Sequence, residues 1–365
     1  MFEKVGFGKV GGFSAAKKKA WGGAAVAALI LTAVCVSPNA ARADEGGISF
    51  WLPGLFGSLA AAPQQPGWSF ATINYYDSVS AGSSVAGARD FTINGVPANF
   101  SGKISGSVHA NIDIGLMTAT YVFATPVLGG QASVGLMGFP GYNHTSLSAS
   151  TNGVLTLPGG SIPLSRTVNL SDSTGGFGDL YPQASLRWNA GVNNFMTYIT
   201  GDVPVGDYNS ANLANLGIGH GAIDSGAGYT YFNPETGHEF SAVAGLTYNF
   251  INPDTQYQSG VDFHLDWGAS QFLSKQLLVG LVGYVYREIG CDSGSGDRVG
   301  CFQSQVFGVG PQVGYLFPAG GGMQGYLNLK GYGEFGAVNR PDGFNIWLTF
   351  SLSPAAPPAP VMAKG

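Results

Sequence analysis

The chain has 365 residues, of which only 10% are Asp, Glu, Lys or Arg, against about 25% in ordinary globular proteins. Its 58 glycines, where about 7% of a chain is usual, and its 12% aromatic content set it apart from both a charge-solvated cytosolic enzyme and a disordered chain. A formal charge of −5 and a pI near 5.4, with no Lys/Arg stripe after residue 42, argue against a nucleic-acid partner.

In chain order, Lys17-Lys18-Lys19, the apolar run Trp21–Val36 and Ala41-Arg42-Ala43 form the charged, apolar and small-residue pattern of a secretory signal cleaved after Ala43. The run is shorter than the roughly 20 residues of a spanning helix, which favours a cleaved leader (1–43) over a retained anchor. Cys35 follows Val34, unlike a lipoprotein cysteine, and is removed with the leader. Cleavage takes away six basic residues (Lys4, Lys9, Lys17, Lys18, Lys19, Arg42) and one acid (Glu3), leaving ten bases, twenty acids and a net charge of −10.

Residues 44–67 form an apolar segment around Phe50, Trp51, Leu55 and Phe56 that stands outside any alternating pattern. Large apolar side chains do not stay solvated willingly. The segment is therefore disordered, lies along the inner rim, or folds into a lumen as a plug; those four side chains are the plug candidates.

From residue 68 the hydropathy alternates with period two, the mark of strands with one apolar and one polar face. In 179–188, Leu180, Ala184, Leu186 and Trp188 oppose Asp179, Tyr181, Gln183, Ser185 and Arg187; in 257–267, Val261, Phe263, Leu265 and Trp267 oppose Asp262, His264 and Asp266. In 324–335, Leu327, Leu329 and Phe335 oppose Asn328, Lys330 and Glu334, and 344–352 sets Phe344, Ile346, Leu348, Phe350 and Leu352 on one face.

Twelve strands are predicted, near 68–77, 102–114, 131–143, 180–189, 194–203, 227–233, 239–250, 256–268, 277–288, 304–317, 324–335 and 344–352. Most are close to the ~9–11 residues that cross a bilayer when tilted. Connections after odd-numbered strands are long (78–101, 144–179, 204–226, 289–303, 336–343), except 251–255. Those after even-numbered strands are short (190–193, 234–238, 269–276, 318–323), except 115–130, where 115–124 reads as a small helical insert or as two further strands, making fourteen.

Long connections on one side and short turns on the other predict an all-β, antiparallel, transmembrane outer-membrane barrel over 68–353. A Pro-rich tail, 354–365, would hang in the periplasm. No apolar run long enough for a helical span follows Ala43, and a soluble β-sandwich would carry more Lys and Glu on its outer faces.

Cys291 and Cys301 flank a polar stretch in a predicted outer loop. In an exported chain the pair reads as a disulfide rather than a metal site, since no further Cys or His cluster accompanies it. Gly217-Ile218-Gly219-His220-Gly221 and Gly308-Val309-Gly310 precede no helix in a β-α-β unit, so neither is a nucleotide loop. No cofactor or metal is expected.

The candidate lumen-lining residues are Asp179, Gln183, Arg187, Asp262, His264, Asp266, Asn328, Lys330 and Glu334. Asp262, His264 and Asp266 share a polar strand face that reads either as a relay or hydrolytic set or as a hydrated lumen wall. No nucleophile motif adjoins the histidine, and no catalytic residue is assigned. Asp179 either pairs across the lumen or caps the turn into its strand.

Several blocks resemble the outer-membrane channel family associated with the meta-cleavage pathway of phenol degradation. They are Glu45-Gly46-Gly47-Ile48-Ser49-Phe50-Trp51-Leu52-Pro53-Gly54, Phe177-Gly178-Asp179-Leu180-Tyr181-Pro182, Thr200-Gly201-Asp202 with Val205-Gly206-Asp207-Tyr208, and Tyr231 to Ser241 running on to Tyr257-Gln258-Ser259-Gly260. The resemblance covers nearly the whole mature chain and implies a bacterial outer-membrane transporter of small hydrophobic or aromatic compounds. With lipid and such solutes as its only expected partners, the sequence reads as a passive channel offering weak, sequential contacts. The alternatives are a barrel-embedded hydrolase and a structural or adhesive barrel with a closed lumen; the oligomeric state is left open.

Overall fold

The computed structural model describes residues 49–93, 96–297 and 300–356. The expected signal peptide (1–43), the start of the apolar segment (44–48) and most of the tail lie outside the described residues. Fourteen strand segments and no helix occur among the described residues: β1 (Gly67–Ile93), β2 (Val96–Val122), β3 (Gln131–Gly138), β4 (Pro140–Leu157), β5 (Gly160–Phe177), β6 (Tyr181–Ala190), β7 (Asn193–Asp202), β8 (Ala222–Asn233), β9 (His238–Asn249), β10 (Asp262–Phe272), β11 (Leu277–Glu288), β12 (Gln305–Gly320), β13 (Met323–Val338) and β14 (Asp342–Pro354).

All pairings between strands are antiparallel. The order β1-β2-β3-β6-β7, continuing in sequence to β14 and back to β1, closes a twelve-stranded ring. β4 and β5 stack above β3 and β6: β2 pairs with β3 over Met117–Val122 and with β4 over Asn99–Ile114. Fourteen segments thus occupy twelve positions in the wall.

Alternation sets the two faces. Outward side chains such as Trp68, Phe70, Leu136, Ile199, Leu246, Leu281, Leu329 and Leu348 are exposed and apolar, as lipid contact requires. Their inward neighbours, among them Asp224, Ser241, Thr247, Asp266, Asn328 and Lys330, are buried. Outward aromatics gather near the strand ends. Trp68 packs with Phe70 and Tyr121 at one end, and Tyr248 packs with Phe250 toward the other, as the girdles of a transmembrane barrel do.

Four expectations need correction. The stretches 78–101 and 144–179 are not loops: β1/β2 and β4/β5 continue as paired hairpins. At about 3.3 Å per residue, the 27-residue β1 runs far past the bilayer. The alternating small and β-branched residues of these stretches carry too few large apolar side chains to read as strands.

Segment 115–122 is neither helical nor an extra strand pair but the end of β2, which leaves a short turn at 123–130. β10 begins at Asp262, so 250–261 is a long loop and both apparent exceptions to the long/short rule vanish. β8 begins at Ala222, five residues earlier than expected.

The wall changes character near Phe139. Gly178 N–H donates to the Phe139 carbonyl (2.8 Å), and a single bridge, Leu180–Val203, tops the β6/β7 ladder. Beyond it the chain turns inward and buries Ala214, Leu216 and Ile218, with Asn143 donating to the Asn215 carbonyl (2.9 Å). Asp172, on the β5 hairpin, accepts from the backbone N–H groups of Leu213 and Ala214. These bonds, the Ala214 one foremost, hold its carboxyl below the usual range.

Cys291 and Cys301 form a disulfide, Cα–Cα 4.5 Å, across the loop between β11 and β12. Replacing both by Ser is expected to ease local opening of that loop by about 2–3 kcal/mol, since the bridge restrains a short loop in the unfolded ensemble. Limited proteolysis should cleave 289–304 faster, while the barrel keeps its heat-dependent shift on a gel.

Candidate functional site

Residues 49–66 lie inside the ring, and the side chains that grip them come from many strands. Asp266 on β10 accepts from Gly54 N–H (2.9 Å) and Phe56 N–H (3.0 Å). Lys330 on β13 donates to the carbonyls of Gly54, Leu55 (3.1 Å) and Phe56 (3.1 Å). A carboxylate and an ammonium thus bind opposite polarities of one turn of backbone, each through charge-assisted bonds worth about 1.5–3 kcal/mol.

Further along, Glu239 accepts from Leu59 N–H (2.8 Å) and Thr230 from Ala61 N–H (3.0 Å). Gln312 donates to the hydroxyls of both Ser58 (2.7 Å) and Ser270 (2.9 Å), which are themselves 2.8 Å apart.

Two glycines permit this close approach. Gly54 has φ +90° and its missing Cβ would lie 2.9 Å from the Tyr332 ring; a Cβ on Gly268 would lie 2.7 Å from Ser58 N. Large residues at either point would lift the segment off the wall.

Trp51 stacks on His264, ring centroids 3.6 Å apart and 15° from parallel. Beneath it His264 Nε2 lies 2.9 Å from Asp224 Oδ2, both side chains being fully buried. The Tyr198 hydroxyl is 3.3 Å from the same nitrogen, and Thr247 Oγ1 donates to Asp224 (2.7 Å). Phe56 packs between Trp51 and Tyr198, at 5.8 and 5.7 Å, and Phe50 against Tyr181 at 5.5 Å.

The other candidates sit as follows. Asp262 accepts from Asn249 Nδ2 (2.9 Å) and Asn328 donates to the Val313 carbonyl (3.1 Å). Glu334 accepts from the Tyr284 hydroxyl (2.6 Å) and Gly343 N–H (3.0 Å). Gln183 and Arg187 line an inner cavity.

Asp179 is the exception to the lumen-wall expectation. Its oxygens accept from Gly206 N–H (2.7 Å) and Ile218 N–H (2.8 Å), so it pins the inward-turning 203–221 connection and forms no ion pair with Lys or Arg among the described residues. Leu55 contacts the site chiefly through its backbone carbonyl and the inner cavity.

Sequence reasoning missed Asp224, Tyr198, Glu239, Thr230 and Gln312. The signal for Asp224 was present: Ile223 and Asp224 extend the alternation of β8 backward, with Ile223 outward and Asp224 inward.

Cavities lie beside the segment. An inner one of about 210 Å³ lies between Phe50, Trp51 and Phe56 on one side and β2, β3, β6 and β7 on the other. A second, about 340 Å³, lies at the short-turn end beside Pro63, Ser69, Ser351 and Pro354. Both touch Gln64 and Thr120, which places them end to end. Among the described residues no group of His, Cys, Asp and Glu has the geometry to hold a metal ion.

A closed antiparallel ring with an apolar outer belt, short turns at one end and long connections at the other defines an outer-membrane β-barrel, and its place is the bacterial outer membrane. The family model described as "Putative MetA-pathway of phenol degradation" matches residues 93–350, and the chain belongs to that family.

Among solved structures, an outer membrane channel from Pseudomonas putida F1 superposes with a TM-score of 0.52 at 14% identity, covering 80% of this chain and 97% of that one. The likeness establishes the barrel fold. A Pseudomonas aeruginosa FadL homologue aligns with a TM-score of 0.37 at 11% identity over 84% and 95% of the two chains. Comparison with curated protein sequences finds no match.

Proposed function

We propose that the protein is a channel for the passive uptake of small hydrophobic or aromatic compounds, with residues 49–66 as its plug. The observation that carries this reading is the inner cavity. It is walled by aromatic side chains of the segment and of the barrel, lies inside a membrane-spanning ring, and abuts the cavity at the short-turn end.

Aromatic walls offer favourable but weak contacts, which permit both binding and release. Membership of a family described by the pathway of phenol degradation supports the same class of solute, and likeness to a Pseudomonas outer membrane channel supports the barrel fold such a channel needs. The hydrolase alternative gains nothing from the geometry: His264 is enclosed beneath Trp51 with Asp224 and Tyr198 as neighbours, leaving no open face for a substrate.

Purified protein in liposomes is expected to pass hydroxylated phenolic solutes, chosen because bare lipid passes them slowly, faster than sugars of similar mass. Uptake no faster than in empty vesicles would overturn the channel reading and favour a closed, structural barrel.

A further inference from the structure

Arg187 stands on β6 at the edge of the inner cavity. Its guanidinium donates to Gln64 Oε1 (3.1 Å), to the Ser185 hydroxyl and, at 3.4 Å, to the Ala60 carbonyl. All three acceptors are neutral, and Arg187 makes no ion pair with a carboxylate among the described residues. No Asp or Glu lines the cavity at all. Its Nε–H is enclosed and has no acceptor among the described residues.

The Trp51 indole N–H is likewise enclosed and has no partner among the described residues, while the ring of Trp51 belongs to the opposite wall. A buried donor left unbonded costs about 1–3 kcal/mol, and more when it belongs to a charged group. A cation held in a low-dielectric lumen with neutral partners alone wants an anion.

The rest of the cavity specifies what that anion is attached to. Phe50 packs on Tyr181, Trp51 and Phe56 on Tyr198, and Leu116, Met137 and Met196 complete the apolar walls. At about 210 Å³ the space exceeds the roughly 150 Å³ that accommodates benzene in a protein core. It admits one ring and a small substituent.

We infer that the inner cavity is a binding site for a single-ring aromatic compound bearing an oxyanion, a carboxylate above all, with Arg187 as its recognition group. The guanidinium supplies the charge and a directional donor; the aromatic walls hold the ring. This names the solute class of the channel and takes its biological meaning from that reading.

Calorimetric titration of the full chain in detergent tests it, using benzoate, toluene as the ring without the anion, and acetate as the anion without the ring. Benzoate is expected to bind at least tenfold more tightly than either. R187Q should cost benzoate tenfold or more and leave toluene within twofold.

Benzoate binding no tighter than toluene in the unaltered protein would overturn the site whether or not the variant folds. So would an unchanged benzoate affinity in a folded R187Q barrel. Liposome flux reports the channel reading separately: flux of phenolic solutes without benzoate preference removes the site alone, and benzoate binding without flux removes the channel alone.

Discussion

Lys330→Met is expected to raise solute flux through the protein in liposomes by tenfold or more. The ammonium donates to three successive carbonyls of the segment at Gly54, Leu55 and Phe56, and Asp266 binds two N–H groups of the same turn. Replacing the lysine by an apolar chain of similar length removes three charge-assisted bonds. Each of those bonds is worth about 1.5–3 kcal/mol.

Even a fraction of that shift suffices, because about 1.4 kcal/mol is a factor of ten in an equilibrium, and here the equilibrium is between seated and released plug. The measurement is uptake by proteoliposomes at matched protein content, with the barrel's heat-dependent gel shift as the folding control. An unchanged flux in a folded Lys330→Met barrel would mean that the lysine does not hold the segment in place.

Asp224→Ala should lower stability by about 1–3 kcal/mol for each buried donor that it leaves without an acceptor. Asp224 is the one carboxylate bonded to His264, and it also accepts from Thr247. Without it the imidazole under Trp51 keeps only the longer contact with Tyr198. Urea unfolding followed by loss of the gel shift measures the effect; Asp224→Asn, which keeps the shape and an acceptor oxygen, is expected to lose less. Equal stability of Asp224→Ala and the unaltered protein would mean that the pair contributes little to the lumen core.

The two variants divide the lumen into parts that were unequally legible in the sequence. The barrel itself was readable because lipid on one side and a polar lumen on the other force strict alternation, as in Phe263, Leu265 and Trp267 against Asp262, His264 and Asp266. Lys330, Asp266 and Arg187 could be placed on the inner face for the same reason. Their partners could not, because each bonds the backbone of a segment some 120 to 280 residues away, and backbone groups leave no trace in sequence.

Asp224 was hidden differently. The glycines at 226 and 228 blur the alternation of β8, so its start was placed at 227 and the aspartate fell into a loop. The tall hairpins of β1/β2 and β4/β5 were read as loops because above the bilayer neither face needs large apolar residues. Asp179 was ambiguous for a third reason: its carboxylate serves the 203–221 connection rather than the lumen, and a turn-adjacent aspartate on an inward face fits either role.

The position of residues 49–66 is the claim on which the account turns, and one cross-link tests it. Ser58 and Ser270 have hydroxyl oxygens 2.8 Å apart, one on the segment and one on β10. In the full chain carrying Ser58→Cys and Ser270→Cys, exposure to air should join the two thiols in a disulfide, dioxygen taking up the two electrons and two protons, and phenolic flux should be low until reductant is added and then rise. The unaltered protein, whose Cys291–Cys301 bridge lies in an outer loop, controls for reduction. Failure of the two introduced cysteines to join, or flux indifferent to reduction once they have joined, would contradict a plug seated in the lumen.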